Sequence, residues 1–193
     1  IQGNRMLQKS SVIIAQENMA RRIRKNNSEK TPTLSLLPAV TFSDSLSTWF
    51  NDEEIKMIHF PNSHTDGDAA IYFTQSKVLH LGDMFFFEMF PAVYTEGGGN
   101  IKQLIASIDR ILASFPADAY VIPGHGRVAS MQDLAGHNSM LRETVALVEA
   151  AIRSGKTLEQ AKKEKLLSKY DQLGSGGAQT TDQYLAMLYK LLS

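Results

Sequence analysis

Three short stretches carry side chains able to do chemistry together: Ser63-His64-Thr65-Asp66-Gly67-Asp68, Leu81-Gly82-Asp83 and Pro123-Gly124-His125-Gly126. Two imidazoles and a carboxylate are the donor set that borderline divalent ions use, zinc above all. Gly82, Gly124 and Gly126 suit such a place, since a residue without Cβ turns sharply and leaves room beside a crowded ion. Each stretch taken singly is weak. A lone histidine after a strand is more often structural, Asp-Gly-Asp is more often a turn, and Pro-Gly is ordinary loop punctuation. The case rests on the three occurring in this order, each next to a strand.

The elements that must position them follow from periodicity. Residues 4–9 read as a short helix, Ser11–Ala15 as a short strand and Glu17–Lys25 as a polar helix. The basic run Arg21-Arg22-Ile23-Arg24-Lys25 is expected on a solvated face. Asn26–Pro38 reads as a loop broken by Pro32 and Pro38. Strands are expected at Val40–Asp44, Ile55–Phe60, Ala69–Phe73 and Lys77–Leu81, the last two joined as a hairpin through Thr74-Gln75-Ser76. That pattern puts Gly82-Asp83 at the end of a strand. Ile101, Leu104, Ile105, Ile108, Ile111, Leu112 and Phe115 share one helical face. Tyr120–Ile122 reads as a strand stopped by Pro123-Gly124. Leu141, Val145, Val148 and Ile152 form a second helical stripe ended by Gly155, and His137 falls at that helix's start. Lys156–Lys165 and Thr181–Leu192 are further helices, separated by the turn Gly174–Gly177. Strands, then strand and helix alternating, then helices, predict a layered α/β or α+β sandwich.

Composition narrows the function classes. The 193 residues carry 20 Lys+Arg against 20 Asp+Glu, and 43% are hydrophobic. One domain, residues 1–193, is expected, with 156–193 as a C-terminal helical extension. Zero net charge supplies no field to recruit phosphates, so no nucleic-acid partner is expected. No apolar run approaches the ~20 residues that cross a bilayer, so no membrane partner is expected either. The absence of cysteine removes thiolate metal sites, disulfides and cysteine nucleophiles together, and leaves the compartment undecided.

The order His-Thr-Asp-Gly-Asp, then Gly-Asp, then Pro-Gly-His-Gly, from Gly3 to about Val148, resembles the second half of the metallo-β-lactamase-fold hydrolases, which include glyoxalase II, lactonases and class B β-lactamases. The resemblance implies a four-layer αββα sandwich. It assigns His64 to one metal ion, His125 to a second, and Asp83 to both as the bridging, catalytic ligand. His59, Asp66 and Asp68 are expected to support ligands from behind or to form turns. Met84-Phe85-Phe86-Phe87-Glu88-Met89-Phe90 either lines an apolar pocket beside the metals or belongs to the core.

The family's His-x-His-x-Asp-His cluster would stand just before Gly3-Asn4, and the chain opens at Ile1. The resemblance therefore implies the C-terminal part of a two-zinc hydrolase, inactive by itself and holding metal weakly. Its substrate would be a small ester, thioester, lactone or β-lactam. Alternatives are an iron-dependent oxidoreductase of the same fold, or a catalytically dead remnant. A sheet face left without cover implies a homo-oligomer.

Overall fold

The structure, a computed structural model, describes residues 4–25 and 36–193. Most of the loop expected at Asn26–Pro38 lies outside the described residues. Two sheets are present among them. A two-stranded parallel pair joins β1 (Ile14–Gln16) to β2 (Val40–Phe42), with helix α1 (Asn4–Leu7) before β1 and helix α2 (Glu17–Lys25) after it. A six-stranded sheet runs β3 (Ser45–Phe50), β4 (Glu53–His59), β5 (Ala69–Phe73), β6 (Val78–Phe86), β7 (Tyr120–His125) and β8 (Ala129–Ser130), in that order. Neighbours in it are antiparallel except β6 and β7, which are parallel. Helix α3 (Ile101–Ser114) makes the crossover that a parallel pair requires.

Sequence periodicity places α2, β5, α3 and α6 (Thr181–Leu192) within a residue or so of their observed bounds. It misses β3, whose alternation is weak. The β3–β4 hairpin turns at Asn51-Asp52, both with positive φ (50° and 61°), the mirror-image turn that matches strand twist and that Asn and Asp tolerate. It also misses β8. The strand expected at Lys77–Leu81 runs on to Phe86, so Asp83 lies inside a strand rather than at its end. Likewise β7 continues through Pro123-Gly124 to His125. The reason is one irregularity: the β6–β7 register shifts on either side of Gly82, which pairs with Pro123. At a bulge a residue without an N–H costs no ladder bond.

Register sorts the side chains onto two faces. Ala70, Leu79, Val121 and Ala129 lie on the face covered by helices and are buried. There they meet Leu104, Ile108 and Ile111 of α3, and Leu134, Leu141 and Val148 of helix α4 (Met131–Arg153). The opposite face carries Ile55, Met57, Ile71, Phe73 and Ile122, every one only half-buried. Helix starts are capped as their sequences indicate. The Asn100 side chain accepts from the Lys102 and Gln103 amides, and Ser130 with Asp133 closes a capping box on α4. Gly155, at φ 75°, follows the end of α4. The segment after it, helix α5 (Leu158–Lys163), a 3₁₀ turn (Ser168–Ser175) and α6, packs Leu167, Tyr184, Leu185 and Leu188 into the same core. Tyr184 stacks on Phe90 at 4.3 Å, and its hydroxyl lies 3.0 Å from Thr144 Oγ1.

Two expectations change. Arg22 is not simply solvated, because it pairs with Asp66 and donates to the Gly97 carbonyl at 3.0 Å. His137 lies well inside α4 rather than at its start. It is 9% exposed, edge-on to Phe85 at 5.1 Å. Burial pushes its pKa down to about 3.

A base whose folded pKa lies below the unfolded value binds fewer protons when folded. Its contribution to stability is therefore complete above about pH 6.5 and is lost as pH falls toward the folded value, at up to about 1.4 kcal/mol per pH unit. Urea unfolding between about pH 7 and about pH 5 is expected to show that loss in the native protein and not in His137→Phe, other groups cancelling between the two. Equal slopes would show that His137 is not buried uncharged.

Candidate metal centre

His64 is held by a loop made almost wholly of polar contacts. Phe60 N donates to Asp68 O at 2.9 Å, closing the loop at the mouth of β5. Asp68 accepts from Thr65 N (2.8 Å) and Thr65 Oγ1 (2.7 Å). Burial pushes its carboxyl up, although the Thr65 bonds and nearby His64 pull the other way. The buried Ser63 hydroxyl bonds Phe60 O at 3.0 Å and Ser107 Oγ at 2.7 Å, tying the loop to α3. From the far side, Tyr94 N donates to His64 O at 3.0 Å. Gly99 lies so close that a Cβ there would stand 2.1 Å from the same oxygen. Sequence reasoning passed over Gly97-Gly98-Gly99. Three glycines directly before the N-cap Asn100 were the available signal for a close backbone approach.

The His64 ring, in a residue 6% exposed, has one nitrogen committed: Nδ1 lies 2.7 Å from the Ala92 carbonyl. A carbonyl only accepts, so Nδ1 carries the proton, and in the neutral ring Nε2 presents a bare lone pair. That lone pair faces Asp83 Oδ2 at 3.6 Å. On the other side of the carboxylate, His125 Nε2 stands 3.8 Å from Oδ1. Phe86 lies by both histidines, stacked on His125 (4.6 Å between centroids, 16° between planes) and tilted against His64 at 6.1 Å. The aromatic run thus divides. Phe86 abuts the histidines, while Phe85, Phe87 and Phe90 are in the core.

Asp83 reaches this position because β7 comes under it without a side chain. A Cβ on Gly124 would fall 1.9 Å from Asp83 Oδ1 and 2.4 Å from the Gly82 carbonyl carbon. Gly82 is needed for a different reason: its φ is 55°, in open space. The His80 ring supports that turn by accepting from Gly82 N at 3.2 Å.

The remaining candidates sit away from this carboxylate. His59 Nε2 donates to Asp66 O at 2.8 Å, and Nδ1 faces Gln16 Nε2 at 3.4 Å. Both ring nitrogens are therefore occupied. Asp66 pairs with Arg22, and Asp68 closes its own loop.

The donors fit a zinc-type ion in chemistry and direction. The unprotonated His64 nitrogen of the neutral ring repels the carboxylate oxygen it faces unless a cation lies between, and the His125 ring stands at the other oxygen. The count is short. Each side of Asp83 offers one imidazole and one oxygen, and among the described residues no group of three or more His, Asp or Glu could hold a single ion. Structural and catalytic zinc sites use at least three protein ligands. These side chains fit two halves of a pair of sites, and do not by themselves complete either.

Comparisons with known proteins agree with the fold. No family model matches the chain. A curated relative, an uncharacterized protein of Aquifex aeolicus, is 34% identical over 88 residues, 46% of this chain and 41% of its own. The chain thus spans about two fifths of that relative's length. Among solved structures, a metallo-β-lactamase from Pontibacter korlensis superposes with TM-score 0.59 at 20% identity, covering 71% of this chain and 61% of its own. The DIM-1 metallo-β-lactamase gives 0.59 at 21%, covering 73% and 63%. The stereoselective inverting sec-alkylsulfatase Pisa1 of a Pseudomonas species gives 0.60 at 18%, covering 80% of this chain and 26% of its own. The chain has the metallo-β-lactamase fold. No helix among the described residues is long and apolar enough to cross a membrane.

The two glycines beside Asp83 should respond differently to substitution. Gly82→Ala meets only the left-handed backbone and is expected to cost about 1–2 kcal/mol. Gly124→Ala must displace both the carboxylate and the neighbouring backbone, and is expected to cost about 3 kcal/mol. Denaturant unfolding ranks the two, and equal costs would refute the close approach of β7 to Asp83.

Proposed function

We propose that the chain carries part of the active centre of a metal-dependent hydrolase of the dinuclear zinc type. In this reading His64 with Asp83 Oδ2 serves one ion, His125 with Asp83 Oδ1 serves the other, and Asp83 is the ligand they share. The observation that carries it is the Nδ1–Ala92 bond, which turns the His64 Nε2 lone pair onto a carboxylate oxygen 3.6 Å away. In the neutral ring the two facing lone pairs repel, and a cation held by both makes that confrontation favourable. The Ala92 carbonyl is also the kind of partner that orients metal-binding imidazoles and raises their basicity.

Zinc, when bound, supplies a water acidic enough to ionise near neutral pH and polarises a substrate oxygen. The chain's own contribution is positional. The Asp68–Thr65 and Ser63–Ser107 bonds hold the His64 loop, Gly124 gives the carboxylate its place, and Phe86 limits the orientation of the His125 ring. The substrate class we assign is a small ester, thioester, lactone or β-lactam. Iron in this position would instead support oxygen chemistry.

With two donors on each side of Asp83, this chain is expected to bind zinc weakly and to hydrolyse such substrates only near background. Calorimetric titration with zinc is expected to give weak binding that Asp83→Ala and His64→Ala each reduce at least about tenfold. Elemental analysis after dialysis should find the ion largely lost. Two equivalents of zinc surviving dialysis would overturn the weak-binding expectation. Unchanged titration in Asp83→Ala would remove the shared ligand and the reading with it, and preferential retention of iron would replace hydrolysis by redox chemistry.

The half-buried face formed by Ile55, Met57, Ile71, Phe73 and Ile122 supports a further part of this reading, association of two or more copies of the chain. Apolar sheet surface is rarely left open in a monomer. Light scattering at micromolar concentration is expected to report a dimer or larger assembly. A compact monomer that unfolds cooperatively would refute it.

A further inference from the structure

The C-terminal segment, which the hydrolase reading leaves without a role, touches four consecutive residues just beyond β6. Gly176 lies against the first two: a Cβ there would stand 2.6 Å from Met89 Cβ and 2.8 Å from the Glu88 carbonyl oxygen. Its φ of −72° is one that any residue adopts, so glycine is needed there for the close approach alone. Tyr184 of α6 stacks on Phe90. The Gln179 side-chain amide donates to the carbonyl of Pro91, 88 positions earlier in the chain. Pro91 is buried, so its carbonyl needs a donor, and Gln179 supplies one.

The residues that follow Pro91 are the ones that hold His64. The Ala92 carbonyl takes the Nδ1 proton at 2.7 Å, and Tyr94 N donates to the His64 carbonyl at 3.0 Å. The Tyr94 ring stands edge-on to the imidazole, 5.0 Å between centroids at 79°. Val93, between them, is buried in the core. Residues 88–91 are thus gripped by the C-terminal segment, and residues 92–94 grip the imidazole. Gln179 is itself firmly placed. It directly precedes Thr180, the N-cap of α6, which closes a capping box with Gln183 through contacts of 2.9 and 3.3 Å. A carbonyl only accepts, so the amide nitrogen of Gln179 and not its oxygen faces Pro91.

We propose that Gln179 is a positioning residue for the His64 imidazole. By holding the Pro91 carbonyl it fixes the Ala92 carbonyl one residue on, and that carbonyl keeps the ring proton on Nδ1 and leaves Nε2 bare. The C-terminal segment is then a strut for the metal-facing histidine rather than an appendage of the core. Without the Gln179 amide a buried carbonyl is left unpaired, which is unfavourable. The segment moves to find another donor, and Ala92 moves with it. The proposal rests on the hydrolase reading only for the use made of the bare nitrogen; the tautomer itself needs no metal.

The test is the tautomer of His64, read from long-range proton–nitrogen correlations of the 193-residue protein without added metal. The spectra are taken at about pH 8, above the ordinary imidazole range, with calorimetric zinc titration alongside. The Nδ1–H form is expected to predominate in the native chain. Gln179→Leu, and the isosteric Gln179→Glu whose carboxylate has no proton to donate, are each expected to turn it into a mixture of both tautomers. Both are expected to weaken zinc binding about threefold to tenfold, less than the roughly 10–100-fold that follows loss of a direct partner of a metal-binding histidine. Tyr189→Phe removes a 3.1 Å bond to the Lys156 carbonyl in the same segment but away from Pro91, and is expected to leave tautomer and affinity unchanged. A native tautomer in both Gln179 variants, or one lost equally in Tyr189→Phe, would overturn the proposal. A tautomer that shifts in the Gln179 variants of a chain that binds no zinc would support the positioning role and overturn the hydrolase reading instead.

Discussion

The parallel pairing of β6 with β7, and the break in its register at Gly82, governs most of what the molecule can do. A regular ladder would carry Asp83 past β7 with its carboxylate directed wherever the pleat dictated. The shift at Gly82 instead sets Gly82 against Pro123, and the strand resumes with Phe86 opposite His125. Asp83 is left over the one residue of β7 that has no side chain, and His125 and Phe86 come into register beside it. Glycine at position 124, the positive φ of Gly82 and the proline without an amide are three consequences of a single displaced pairing.

The same strand separates two environments. Its buried side supplies Phe85, and just beyond its end Phe87, to a core closed by α4, where burial keeps His137 uncharged. Its other side presents Asp83 and Phe86 to two imidazoles. Adjacent residues of one extended segment face opposite ways, which puts Phe85 against His137 and Phe86 against His125. The strand that positions Asp83 is packed against the core on its Phe85 side. Where it meets His64 it is held by hydrogen bonds.

That polar side depends on buried or part-buried hydroxyls and carboxylates. The Ser63–Ser107 bond, the Asp68–Thr65 pair and the Arg22–Asp66 ion pair replace apolar packing around the loop. Such networks fix geometry more sharply than dispersion does, because each bond is directional and costs free energy when broken in a low-dielectric setting. Asp68, whose ionised form burial disfavours, illustrates the balance: its two bonds to Thr65 offset part of the desolvation it suffers.

Much of the scaffold was legible in the chain alone. The helical stripes of Ile101–Ile111 and Leu141–Val148, the end of the second at Gly155, and the strand Ala69–Phe73 act over one or two turns or a few strand residues, so local spacing determines them. The donor types were legible too, since imidazole and carboxylate are chemistry carried by the residue itself. Weakly alternating β3, the two-residue β8 and the passage of strands through Gly82 and Pro123 were not, because each exists only through pairing with a distant partner. Nor could sequence show that Nδ1 of His64 is tied to Ala92, that both nitrogens of His59 are satisfied, or that His137 is buried inside α4. Sequence by itself determined which residues were able to bind, donate or pack. Tertiary structure decided which of them met, because convergence of His64, Asp83 and His125 depends on a displaced strand register and on backbone approaches to Gly99 and Gly124 that no local pattern encodes.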